Sequence, residues 1–229
     1  LKFSTDLTLN QESLKGEISL NNPNYKGTNR SLDSSAQSQT TDRLKNFGYK
    51  SSKTGFSIGS GFEFYEDLFL NIGTSSFFED LETDSTASAT MKKQNGSYFD
   101  TFFNYTFAYD MRDQSYRPTD GFISRFTQDV PLISKNYTLT NSYDLRFYDK
   151  FFDENVASYS FFASSTNALS GRDVKLSERL FLRESRLRGF ETGKIGPMDG
   201  ADFIGGNYTM AFNANATLPQ IFPTLQNTT

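Results

Sequence analysis

The chain contains no cysteine and no histidine. Without cysteine there is no disulfide framework, no thiolate metal site and no cysteine nucleophile. Without histidine the commonest general base and the commonest metal ligand are both missing. No helix-length apolar run occurs anywhere in the 229 residues, which excludes a helical membrane protein. Lys and Arg number 23 against 27 Asp and Glu, a net charge of -4, so nothing points to a nucleic-acid partner. The expectation is a protein without catalytic residues, metal or cofactor.

What the chain does have is rings: 24 Phe and 12 Tyr, within a total hydrophobic content of only 36%. Rings favour strands and membrane interfaces. A mean hydropathy of -0.56 suits a soluble protein, and it equally suits a transmembrane barrel, where only alternate residues face lipid.

The pattern along the chain is two-residue alternation. Leu1, Phe3, Leu7 and Leu9 oppose Lys2, Ser4, Asp6, Thr8 and Asn10, and Leu14, Ile18 and Leu20 oppose Lys15, Glu17 and Ser19. A period of two marks a strand with unlike faces. Further strands are expected over 29–41, around Phe56 to Phe64, and over 68–78, 98–112, 122–130, 137–148, 155–167 and 207–218, the last ended by Pro219 and Pro223. Residues 29–41, rich in Ser, Thr and Gln, carry the weakest signal. In 98–112 the rings Phe99, Phe103, Tyr105, Phe107 and Tyr109 share one face, opposite Asp100, Asn104, Thr106, Asp110 and Arg112. Short turns near 22–27, 65–67, 112–121 and 150–154 alternate with generally longer polar loops over 42–53, 79–97 and 168–206. Barrels with tight periplasmic turns and long external loops show this asymmetry. The ring-rich face of 98–112, 137–148 and 207–218 carries no charge, as a lipid-facing surface requires, because Arg or Lys at the midplane costs roughly 2–4 kcal/mol. A soluble β-sandwich also alternates, but it has no need of that consistent freedom from charge. The expected fold is all-β: an antiparallel transmembrane barrel with a long loop folded into its lumen.

That loop is the most distinctive stretch. Arg179, Arg183, Arg186 and Arg188 lead into Gly189 and Phe190. Glycines then recur at Gly193, Gly196, Gly200, Gly205 and Gly206. Regular glycine punctuation argues for a defined path rather than disorder.

Arg186-Leu-Arg-Gly-Phe190, with Ile195-Gly196-Pro197 and Gly205-Gly206-Asn207, resembles the sixth external loop and following strand of the BamA-type outer-membrane barrel assembly family (the bacterial surface antigen superfamily). The turns containing Pro23 and Gly27, and Pro118, Asp120 and Gly121, resemble that family's inter-strand turns and fall in the right order. The resemblance implies that residues 1–229 are a piece of a C-terminal barrel domain, about ten of sixteen strands, without the periplasmic domains, the first strand or the last strands. It implies a non-enzymatic factor of the bacterial cell outer membrane that inserts unfolded barrel clients into the bilayer with accessory lipoproteins. A two-partner secretion transporter of the same superfamily, or a structural or adhesive β protein, are the alternatives; Phe190 leans towards the assembly factor. It also implies that Arg188 is a charged tether meeting acidic groups on the wall, Gly189 the residue allowing close approach, and Phe190 a packing anchor. Asn215 stands where relatives often carry a glutamate.

Other features carry less. Asp110 and Asp113 sit beside a turn, where turn chemistry explains them better than a hydrolytic carboxylate pair. Gly59-Ser60-Gly61 precedes no helix and is not a phosphate loop.

Overall fold

A computed structural model describes residues 1–10, 12–152, 155–191 and 193–217. Ten strands form one antiparallel sheet in which each strand pairs with its sequence neighbours. They are β1 (Lys2–Leu9), β2 (Ser13–Asn22), β3 (Leu32–Arg43), β4 (Tyr49–Tyr65), β5 (Leu68–Thr83), β6 (Gly96–Asp110), β7 (Gly121–Ile133), β8 (Thr138–Phe152), β9 (Asn155–Ala168) and β12 (Tyr208–Ala216). Between β9 and β12 the long loop forms its own two-residue hairpin, β10 (Met198–Asp199) with β11 (Asp202–Phe203). One-turn helices α1 (Leu44–Phe47) and α2 (Ala89–Lys92) sit in the β3–β4 and β5–β6 connections. This is the expected architecture, a partial antiparallel barrel. Among the described residues no helix is long and apolar enough to cross a membrane.

Register puts the apolar parity of every strand on one surface. Phe3 faces Leu20 across β1–β2, Ala36 faces Phe56 across β3–β4, and Phe107 faces Phe126 across β6–β7. Phe147 opposes Tyr159, and Phe161 opposes Phe212. These side chains remain open to the surroundings: Phe56 is 58% exposed and Met210 71%. An exposed apolar surface spanning ten strands is a lipid-facing wall, since soluble monomers rarely show patches above a few hundred Å². Polar groups on this face satisfy one another. The Tyr105 hydroxyl donates to Gln128 Oε1 at 2.7 Å, and the Gln128 amide donates to Asn141. The weak strand is real for the same reason: β3 pairs along its length with β2 and β4, and Ser38 and Thr54 hydroxyls bond at 2.8 Å.

The opposite surface is polar. The Asn104 amide donates to Asp129 at 2.6 Å, and Ser75 Oγ donates to Asn104 at 2.9 Å. An isolated strand sequence gives two unlike faces; the hydrogen-bonded register aligns them into one apolar outside and one polar inside.

Two expectations about the connections need correction. The polar loops expected over 42–53 and 79–97 are shorter, because β3 runs to Arg43, β4 starts at Tyr49, β5 runs to Thr83 and β6 starts at Gly96, which leaves 44–48 and 84–95 as the connections. Their polar residues pair across strands, Lys53 opposite Glu79 and Lys50 opposite Glu82, which favours extension over a loop. Tight connections also occur at the end that carries the long loop, between β1 and β2, where Asn10 N donates to Ser13 O at 2.9 Å, and at 134–137. Loop 168–206 follows a defined path, as its glycines led one to expect, and Leu180 bridges Gly206 across it. Leu218, Pro219, Pro223 and the Asp153–Glu154 portion of the β8–β9 turn lie outside the described residues.

Candidate functional site: the loop docked on the inner wall

The loop is held to the polar surface by three sets of contacts of different physical kind. The first is ionic and dry. Residues 174–176 are buried, and Lys175, flanked by Val174 and Leu176, has no solvent exposure. Its Nζ lies 3.0 Å from Glu79 Oε2, 2.5 Å from Asp100 Oδ2 and 3.0 Å from Glu178 Oε1. The Tyr98 ring lies 4.8 Å from the same nitrogen, and Ser51 Oγ donates to the other Glu79 oxygen at 2.6 Å. Burial alone pushes the lysine's pKa down. The carboxylates of Glu178, Glu79 and Asp100 outweigh that and hold it above its ordinary value. Glu178 goes the other way for a carboxyl: its burial raises its pKa more than Lys175 lowers it.

The second contact is a guanidinium on the wall. Asp144 of β8 and Phe162 of β9 are cross-strand partners, so a carboxylate and a ring stand side by side. Arg186 uses both: its Nη2 donates to Asp144 Oδ2 at 2.7 Å, and its Cζ lies 3.8 Å from the Phe162 ring centroid. Planar, delocalised arginine suits this pairing and lysine would not. Arg146 Nε shares Asp144 at 3.1 Å.

The third is apolar. Phe47 of α1, Tyr49, Leu81, Ala87, Met91 of α2, Tyr98 and Leu176 form a buried cluster, and Phe181, Phe203 and Ile204 of the loop pack on it. Phe181 meets Phe47 edge-on with centroids 5.4 Å apart. The Arg43 guanidinium covers both rings at 5.0 and 5.5 Å and pairs with Glu12 at 3.1 Å. Each large side chain buried there contributes about 1.5–3 kcal/mol. The cluster therefore ties the loop to both neighbouring connections.

The sequence-expected residues fall into this frame unevenly. Arg186 is the tether. Arg188, expected in that role, is exposed, and it has no ion pair among the described residues. The turn explains the difference. Within the Arg183–Leu187 turn, closed by Arg186 N and Leu187 N donating to Arg183 O at 2.9 and 3.2 Å, Arg186 faces the wall, and the chain then bends outward at Gly189. A side chain at Gly189 would meet open space, and what this position needs is its left-handed backbone at φ +83° rather than close approach. Phe190 is 55% exposed and does not anchor the loop; Phe181 does.

The later motifs are structural. Leu180 and Gly206 form an antiparallel bridge with bonds of 2.8 and 2.9 Å, and Pro197 O accepts from Ile204 N at 3.1 Å. Gly196 makes the bend into that hairpin. A Cβ on Gly205 (φ +72°) would lie 2.8 Å from the Phe181 ring and 2.9 Å from Leu180 O. Asn207 O accepts from Thr166 N at 2.8 Å and starts the pairing of β12. The turn residues also sit where expected. Pro23 follows β2, Gly27 closes a 3₁₀ turn, and Pro118, Asp120 and Gly121 lie in the β6–β7 turn. There Asp113 accepts from Thr119 N, Thr119 Oγ1 and Asp120 N. The same hydrogen bonds from Thr119 hold its carboxyl below the usual range. Asp110 takes a two-pronged bond from Arg112 at 2.7 and 2.6 Å. Asp110 thus ends β6 beside the turn, and Asp113 lies within it.

Behind the loop lies a cavity of about 720 Å³ whose lining includes Arg146, Arg183, Arg186, Arg188, Asn213 and Asn215. Asn215 sits on β12 opposite Ser158 and is exposed. Among the described residues no group of acidic side chains is arranged to hold a metal ion. Lys175, Glu79 and Asp100 were not singled out by the sequence: they lie 75 and 96 positions apart, and Glu79 opens an acidic stretch that reads as solvated loop. Only the parity of Asp100, on the polar face of its strand, hinted at a place inside.

Comparison with known proteins supplies a family. The Omp85 superfamily domain matches residues 1–228. The outer membrane protein assembly factor BamA of Neorickettsia risticii (strain Illinois) is 26% identical over 180 residues, covering 76% of this chain and 24% of that protein. A SAM50-like protein of Schizosaccharomyces pombe is 28% identical over 144 residues, 58% of this chain and 30% of its own length. The crystal structure of BamA from Haemophilus ducreyi lacking POTRA domains 1–3 superposes with a TM-score of 0.82 at 21% identity, covering 98% of this chain and 48% of that one. The last is a likeness of fold. The chain thus spans from about a quarter to just under half the length of these relatives.

Proposed function

The chain belongs to the Omp85 superfamily, and from that premise we propose that it is the barrel-wall and loop portion of a factor that folds β-barrel proteins and inserts them into the bacterial outer membrane. The observation that carries the reading is the loop bearing Arg186-Leu-Arg-Gly-Phe190, docked on the polar side of a wall whose other side is predominantly apolar. A wall of this kind sits in the bilayer, and the loop braces it from within.

The work proposed is mechanical, without covalent chemistry or cofactor. Client strands would add to a free sheet edge by main-chain hydrogen bonds, the geometry already repeated between every pair of neighbours here. The described residues supply the rigid part: long strands β4 and β5, the capped apolar cluster and the docked loop. Partners are the outer-membrane bilayer, unfolded barrel clients and, in the finer reading, accessory lipoproteins of an assembly complex.

Depletion of the protein in its own cell tests this. The expected result is loss of several unrelated barrel proteins from the outer membrane, with unfolded precursors accumulating. Loss of one exported polypeptide while all barrels still assemble would instead indicate a secretion transporter. Unchanged levels of both would overturn the proposal.

A further inference from the structure

We infer that Lys175 is the positioning residue of the loop, and that it holds the loop as a single charge sealed in an acidic nest rather than by shape. The family motif lies more than ten residues further on, and its arginine contact is of a different kind: the Arg186 side chain keeps 24% of its exposure, whereas that of Lys175 keeps none. Neighbouring wall strands β5 and β6 deliver Glu79 and Asp100 to the same point, although these two residues are not cross-strand partners, and Glu178 closes the nest from one turn further along the loop. Three carboxylates therefore surround one ammonium. The second oxygen of Asp100 has no hydrogen-bond partner there. Removing the ammonium strands like charges in a dry space, a far worse condition than an empty apolar hole.

The chain around Lys175 is also stitched down. Leu176 N donates to Gln94 Oε1 at 2.9 Å, Asn136 Nδ2 donates to Asp173 O at 3.3 Å, and Ser170 Oγ donates to Asn136 O at 2.7 Å. Through Leu176 and Phe181 this limb joins the apolar cluster on which Phe203 and Ile204 also pack. Release at Lys175 should consequently free the far hairpin, where Ser88 Oγ donates to Asp199 Oδ2 at 2.5 Å. The inference rests on the fold and not on the assembly activity.

The chain's lack of cysteine allows a direct test in the full-length protein in its own membrane. Ser88→Cys with Asp199→Cys should form a disulfide on oxidation and report docking of the loop. Adding Lys175→Met is expected to lower the disulfide yield at least fivefold while the folded, heat-modifiable form of the barrel persists on gels. Adding Glu79→Gln, Asp100→Asn and Glu178→Gln to Lys175→Met should restore at least half of the yield, since no charge is then stranded. Full yield with Lys175→Met alone would overturn the inference. Should that variant fail to reach the folded form, the fourfold variant decides: recovery of fold and crosslink supports the inference, and continued failure refutes it. The crosslink reads docking alone, so its outcome is separate from whether the protein assembles other barrels.

Discussion

Replacing Arg186 by alanine should destabilise the barrel measurably, whereas the same change at Arg188 should not. Arg186→Ala removes a charge-assisted hydrogen bond of 2.7 Å to Asp144 and a guanidinium stacked 3.8 Å from the Phe162 ring. A hydrogen bond to a charged group contributes about 1.5–3 kcal/mol, and a partly desolvated cation–π contact about 0.5–2 kcal/mol. Asp144 keeps a second partner in Arg146, so no carboxylate is orphaned and the total belongs near the low end, about 2 kcal/mol by the same scales. Arg188 is exposed, and its loss should stay within about 0.5 kcal/mol. Urea unfolding in lipid vesicles, followed by gel mobility and circular dichroism, would give both values. A double-mutant cycle with Asp144→Asn should show a coupling of about 1 kcal/mol for the Arg186 pair. If Arg188→Ala costs as much as Arg186→Ala, or the cycle shows no coupling, the assignment of the tether is wrong.

Gly205→Ala should loosen the loop, since it combines a left-handed backbone with a Cβ 2.8 Å from the Phe181 ring; a cost of about 1–3 kcal/mol is expected, and faster external proteolysis of the loop would reveal it. Phe103→Arg places a cation on the apolar outward face at the middle of β6 and should cost roughly 2–4 kcal/mol near the bilayer midplane, read as a shifted unfolding midpoint in vesicles. Glu178 has a raised pKa, so its contribution to stability is complete below the ordinary carboxylate value and is lost as pH rises through its folded pKa. Wild-type protein should therefore lose stability relative to Glu178→Gln as pH rises from about 4 to 7, and parallel pH profiles for the two would contradict the burial argument.

Strand existence and the sidedness of each strand were properties of the sequence alone. In 98–112 a two-residue period places Phe103, Tyr105 and Phe107 on one face and Asn104 and Thr106 on the other, whatever the neighbours are. Positions of the turns also followed from local chemistry, because the Asp113 carboxylate and Gly121 need only residues within the same turn. Even the weak strand β3 could be read, although the hydroxyls of Ser35, Ser38 and Thr40 find their partners across the sheet on β4.

What local pattern could not reach was anything that joins distant parts of the chain. Polar residues at 79–83 read as loop because solvated segments and strands standing against a polar interior have the same composition; pairing with β4 decided between them. The tether moved from Arg188 to Arg186 because a few degrees of backbone at a turn decide which arginine meets Asp144, and no spacing rule encodes that direction. Lys175, Glu79 and Asp100 form a site only once strands β5 and β6 stand side by side and the loop returns across them. Alternation is a one-dimensional property and survives in the sequence. Burial of a charge depends on what closes over it, and only the tertiary fold supplies that.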